Sequence, residues 1–199
     1  MIKNVVFDVG MVLADFRYRE YMTDLGFDKE TIEELSEKVV FSEYWKLMDN
    51  GLVNDKEAKA HFISELPQYE RQMNLFWDNI DNIIREYDYS EGLVRELKAK
   101  GLKVYVLSNY PETQADMHWP KFRFLPLTDG YLISSKEKMM KPDPDFYKLL
   151  EKRFGVDLTE SIFIDDREVN IEAAKNLGMT GILFKGIDDL KSNLKSIIC

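Results

Sequence analysis

Ile2-Lys3-Asn4-Val5-Val6-Phe7-Asp8 sets a β-branched and aromatic run directly against an acid. The run Val5-Val6-Phe7 has no polar alternation, which is the pattern of a strand covered on both faces in a parallel sheet. Short apolar segments of the same kind return at residues 102–107, 131–133, 161–164 and 179–184. Helical spacing fills most of the gaps between them. Ser90 is placed to cap a helix that turns Leu93, Val94 and Leu97 to one side and stops at Gly101. Val169, Ala173 and Leu177 recur at i, i+4 and i+8 and stop at Gly178. This alternation predicts an α/β fold, a Rossmann-like doubly wound parallel sheet.

Residues 16–88 break the rhythm. They contain two of the ten glycines, Gly26 and Gly51, and account for almost the whole net charge of −9. Their apolar residues fall at helical spacing, as in Ile32, Leu35 and Val39, or Phe76, Ile80, Ile83 and Ile84. Asn54 with Glu57 forms a capping-box pattern just after an Asp49-Asn50-Gly51 turn. The division predicted is a core of residues 1–15 and 89–199, interrupted by an all-helical insert over 16–88.

Composition excludes several classes of function. With 27 basic against 36 acidic residues, the chain lacks the basic footprint of a nucleic-acid binder. No apolar run approaches the ~20 residues of a membrane helix. One cysteine, Cys199, and two histidines exclude an internal disulfide framework and a zinc site built from those residues. Any metal would be held by oxygen, which favours magnesium. The opening segment reaches Asp8 too soon to resemble a secretory leader, so a cytoplasmic enzyme is expected, monomeric or weakly homodimeric.

Open α/β sheets bind ligands beyond the carboxyl ends of their strands. Asp8 follows the first apolar run, Ser108-Asn109 the second and Asp165-Asp166 a later one, while Lys141 lies in the proline-stiffened loop Met140-Lys141-Pro142-Asp143-Pro144. Together they supply a carboxylate nucleophile, a hydroxyl donor, a cation and a paired-carboxylate metal site. Lys136 and Lys138, which flank Lys141, read as solvated. Tyr18, Trp45, Asp49 and Asn50 are the candidate contacts from the insert.

FDVGMVLAD (7–15), VLSN (106–109), KPDP (141–144) and FIDDREVN (163–170) resemble, in order, the four motifs of the haloacid dehalogenase superfamily, and the insert resembles the cap of its helical-cap subfamily. Among its branches the chain most resembles bacterial sugar-phosphate phosphatases of the α-D-glucose-1-phosphate kind. The resemblance implies Mg²⁺-dependent hydrolysis of a small phosphorylated metabolite through an aspartyl-phosphate. In that scheme Asp8 attacks, Ser108 and the Asn109 backbone hold phosphoryl oxygens, and Lys141 neutralises charge. Asp8, the Gly10 carbonyl, Asp165 and Asp166 hold the metal, with Asn170 behind them.

Gly10 departs from the family pattern, which carries an aspartate there as general acid and base. Asp15 or Asp49 could replace it. Two alternatives stay open: a metal-independent 2-haloacid dehalogenase, against which the Asp165-Asp166 pair speaks, and a catalytically impaired regulatory relative.

Overall fold

A computed structural model describes residues 1–198; Cys199 lies outside the described residues. The chain begins with β1 (Asn4–Phe7) and turns through a tight loop into the short β2 (Ala14–Phe16). Five helices follow: α1 (Tyr18–Asp24), α2 (Lys29–Leu35), α3 (Glu43–Asp49), α4 (Asp55–Glu65) and α5 (Glu70–Asp78), with a π turn at Ser36–Val40 after α2. The return passes through β3 (Ile84–Glu86) to α6 (Ser90–Ala99), β4 (Lys103–Ser108) and α7 (Glu112–His118). The remainder runs β5 (Gly130–Ile133), α8 (Ser134–Glu137), α9 (Pro144–Phe154), β6 (Ser161–Asp165), α10 (Glu168–Asn176), β7 (Thr180–Leu183) and α11 (Ile187–Ile198). Among the described residues no helix is long and apolar enough to cross a membrane.

Five strands form one parallel sheet in the order β5-β4-β1-β6-β7, so the first strand made is the central one. Both faces are covered, as the unbroken apolar runs require. Val5, Phe7, Val104, Val106, Ile162 and Ile164 pack with Leu93, Val94 and Leu97 of α6 and with Leu190 and Leu194 of α11. On the opposite face Val6, Tyr105, Leu107 and Phe163 meet Phe146, Tyr147 and Leu150 of α9 and Ala174 of α10. The register pairs Phe7 with Val106 on one side and Ile164 on the other. Asp8 therefore emerges at the carboxyl edge between Leu107-Ser108 and Asp165, and its N–H still bonds the Ile164 carbonyl at 2.9 Å.

The insert has its own core, built on Tyr21, Met22, Leu35, Met48, Phe62 and Phe76. The capping box is present, with Asn54 Oδ1 accepting from Glu57 N–H at 2.9 Å and Glu57 accepting from Asn54 N–H at 3.1 Å. Three local expectations differ from the structure. The helix through Phe76 stops at Asp78, and Ile84 lies in β3, which pairs antiparallel with β2 from Ala14↔Glu86 to Phe16↔Ile84. The return segment pairs with the outgoing one as a two-stranded crossing, which places Ile84 in a strand rather than on a helix. Ser90 does not cap α6; its hydroxyl donates 2.7 Å to the Leu13 carbonyl, and Tyr89 donates to Val12, stitching α6 to the root of the insert. On α10 the buried residues are Asn170, Ile171 and Ala174, whereas Val169 is 49% exposed. Asn170 turns inward to reach Asp165 and sets the phase of the helix, a polar constraint that an apolar count misses.

Candidate active site

Three strand ends and one loop converge above β1. Asp8 Oδ1 accepts three hydrogen bonds or ion-pair contacts: from Val9 N–H at 2.7 Å, from Lys141 Nζ at 2.9 Å and from Ser108 Oγ at 3.1 Å. Its Oδ2 accepts none among the described residues. One oxygen is thus anchored and the other is free to react.

Lys141 is not solvated: its side chain is 1% exposed, and Nζ also lies 2.7 Å from Asp165 Oδ2. The loop is held by Asn109, whose Oδ1 accepts from Lys141 N–H at 2.8 Å and whose Nδ2 donates to the Lys141 carbonyl at 2.9 Å. This clamp is a role for the Asn109 side chain that the motif alone did not suggest. Asp165 is fully engaged, accepting from Arg167 N–H at 2.8 Å, from Asn170 Nδ2 at 2.9 and 3.0 Å, and from Lys141. Tyr147 Oη in turn donates 3.0 Å to the Asn170 carbonyl. Asp166 is exposed at the rim.

Burial pushes the Asp8 carboxyl above the ordinary carboxylate range; Lys141 opposes this, and Asp165 and Asp166 reinforce it. Partial loss of solvent at the rim and the charge of Asp165 raise Asp166. For Lys141, burial acts downward, but the charges of Asp165 and Asp8 outweigh it and the net shift is upward. Oxygens of Asp8, Asp165 and Asp166 lie within 4.8 Å of one another. Three hard anionic donors gathered within 4.8 Å, with one cation among them, fit a divalent, oxygen-seeking ion such as Mg²⁺. Asp8 Oδ2, Asp166 and the Gly10 carbonyl retain unused oxygens to hold it.

The insert contributes one carboxylate. Asp49 closes α3 and leads into the turn at Gly51, whose φ of +64° suits glycine. Its carboxyl makes no hydrogen bond among the described residues. Burial and the charge of Asp8 push it to about 7, against the opposing pull of Arg167 and Lys141. Asp15, the other replacement considered for the proton carrier, lies in β2 opposite Arg85, and its charge acts on the Tyr87 hydroxyl. Trp45 is not a substrate contact: it is buried in the core of the insert against Phe76 and Trp77. Tyr18 stacks edge-on with the exposed Phe41.

The raised Asp49 carboxyl has a measurable sign in metal-free protein. Its folded pKa of about 7 exceeds the unfolded value of about 4, so folding takes up a proton between them and stability falls as pH rises through that window. Asp49→Asn removes this contribution. The stability of the variant relative to the parent, read from denaturant midpoints, is expected to grow from pH 4 to pH 7 and then level off. A pH-independent difference would reject the raised pKa of the half-buried Asp49 carboxyl.

Sequence reasoning missed Ser134, which directly follows the last residue of β5. The signal was present, because a serine directly after an apolar strand is the pattern that singled out Ser108. It also missed Tyr110, whose hydroxyl lies 2.6 Å from Nδ1 of the buried His118, while His118 Nε2 faces Asp81 of the insert's return segment at 3.7 Å.

Residues 2–178 match the family model of the haloacid dehalogenase-like hydrolases. The chain is 27% identical to a sesquiterpene phosphatase of Aspergillus oryzae over 188 residues, covering 90% of this chain and 88% of that protein. It is 28% identical to a D-ribitol-5-phosphate phosphatase of Bacteroides thetaiotaomicron, covering 89% of each. A haloacid dehalogenase family enzyme of Bacteroides thetaiotaomicron, solved in complex with magnesium and inorganic phosphate, superposes with a TM-score of 0.71 at 25% identity, covering 93% of this chain and 95% of that one. The family model spans the three strand ends and the Lys141 loop that the fold gathers over β1, and this chain belongs to the haloacid dehalogenase-like hydrolases.

Proposed function

We propose that the chain is a Mg²⁺-dependent phosphatase that hydrolyses a small phosphorylated metabolite, with sugar phosphates the first class to test, through an aspartyl-phosphate on Asp8. The observation that carries this reading is the asymmetry of Asp8: three donors fix Oδ1, Oδ2 accepts none among the described residues, and Asp165 and Asp166 gather with it within 4.8 Å. The phosphatase names of the relatives and the magnesium and phosphate in the solved neighbour support it.

Asp8 Oδ2 attacks phosphorus, the Asp8–phosphorus bond forms, and the bond to the leaving oxygen breaks. Ser108 Oγ and the Asn109 backbone hold the transferring oxygens. Asp49, near neutral at its raised pKa, gives its proton to the leaving oxygen. Water then attacks phosphorus, its proton passes to Asp49, and the bond to Asp8 breaks, restoring the carboxylate. Asp8, Asp166 and the Gly10 carbonyl would hold Mg²⁺, with Asp165, whose oxygens are already engaged, reaching it through water; the ion would supply positive charge for the meeting of two anions. Lys141 supplies the remainder from below. Gly10 cannot carry a proton, and the unpartnered Asp49 carboxylate replaces it from the opposite wall.

A panel of phosphorylated metabolites, assayed with Mg²⁺ and with excess chelator, tests the reading. Phosphate release is expected only with the metal, and 2-chloropropionate is expected to yield no chloride. Chloride release without metal, faster than phosphate release from every ester, would instead make the chain a dehalogenase.

A further inference from the structure

Two side chains of the core hold the turn that carries Asp49. Ser134, fully buried at the end of β5, donates its hydroxyl to the Asp49 carbonyl and accepts the Tyr110 N–H at 2.9 Å. Lys138 donates Nζ to the carbonyl of Gly51, two residues further on. The approach is so close that a Cβ on Gly51 would collide with the Ser135 carbonyl and with Lys138 Nζ. A third contact, Gln114 Nε2 to Asp55 at 3.1 Å, fixes the start of α4.

Lys138 itself has φ +56°, one of two non-glycine residues with positive φ among the described residues. That conformation is uncommon for a side-chain-bearing residue and persists where the surroundings impose it. Glycine would suit the backbone better but could not reach the turn. The Ser134 hydroxyl has a second connection: Tyr110 follows Asn109, whose side chain clamps the Lys141 backbone. One hydroxyl therefore joins the wall that carries Asp49 to the loop that fixes Lys141.

We propose that Ser134 and Lys138 are positioning residues for proton transfer: they hold the Asp49 turn at the distance from Asp8 that the leaving oxygen requires. This rests on the reading of Asp49 as proton carrier. Displacing a reacting group by about 1 Å can cost about 10²-fold in rate, and losing one of two anchors is expected to cost part of that.

The test compares turnover of an alkyl ester, glycerol phosphate, with that of p-nitrophenyl phosphate, whose leaving group needs little protonation, in full-length protein with Mg²⁺. Ser134→Ala and Lys138→Gly are each expected to lower the alkyl-to-aryl ratio of kcat by about 10-fold, a loss of one hydrogen-bond's worth of positioning. Neither is expected to lower the ratio further in an Asp49→Asn background. Lys138→Arg, which keeps a donor, is expected to retain the parent ratio. Lys138→Gly suits the local backbone, so its folding is secure where that of Ser134→Ala is in question. If both variants slow the two esters equally, or lower the ratio equally without Asp49, the positioning role is overturned while the phosphatase reading stands. If Asp49→Asn itself leaves the ratio unchanged, the proton-carrier reading falls and this proposal falls with it.

Discussion

Asp8→Asn is expected to reduce phosphate-ester turnover roughly 10⁴- to 10⁶-fold, the range seen when a covalent nucleophile is removed. The substitution is nearly isosteric. Its remaining oxygen can keep the three donors now on Oδ1, from Val9, Ser108 and Lys141. What disappears is the reactive Oδ2 and one negative charge from a crowded carboxylate cluster in which Asp8 and Asp166 are both raised. Metal-free Asp8→Asn protein is therefore expected to unfold no more readily than the parent, and a loss of rate can be assigned to chemistry. Phosphate release by Asp8→Asn within 10-fold of the parent would exclude the aspartyl-phosphate route.

Asp49→Asn is expected to lower alkyl-ester turnover about 10²- to 10⁴-fold, the usual contribution of a positioned acid or base, and p-nitrophenyl phosphate turnover far less. Gly10 gives this expectation a second arm. A Cβ built there meets nothing within 4 Å and its φ lies outside the left-handed region, so a side chain can begin there without backbone strain. Gly10→Asp added to Asp49→Asn is expected to restore alkyl turnover, because it returns a carboxyl two residues from the nucleophile. The measurement is the dependence of rate on leaving-group basicity across parent, single and double variants. A dependence equally shallow in parent and Asp49→Asn would remove Asp49 from the proton path.

The strand ends were legible because their signal is local: an apolar run followed by a polar residue. Asp8, Ser108 and Asp165 each lie where that signal puts them, and β1, β4 and β6 bring them together. The burial of Lys141 was not legible, since a lysine ahead of two prolines shows no sign of it until the sheet brings Asp8 and Asp165 to its Nζ. Lys138 hid in the same way, its partner lying 87 residues away in the insert. Ser90 and Val169 failed for a related reason. Each sits in a true helix, but long-range contacts decided its role, Leu13 for Ser90 and Asp165 through Asn170 for Val169.

The central place of β1 fixes an order of events during synthesis. Its two neighbours in the sheet are residues 103–106 and 161–164, so the strand emerges first and finds its last partner late. The insert, with a core drawn from residues 21–83, has every partner available well before that. It can compact on the ribosome while Val5-Val6-Phe7 waits, an apolar strand with open edges and the exposure that slow, non-local pairing brings. A chain ended before residue 161 would lack β6, and with it Asp165, Asp166 and the edge that closes β1. Asp8 is made long before Asp165 and Asp166, so a chain stopped short of them carries no assembled site.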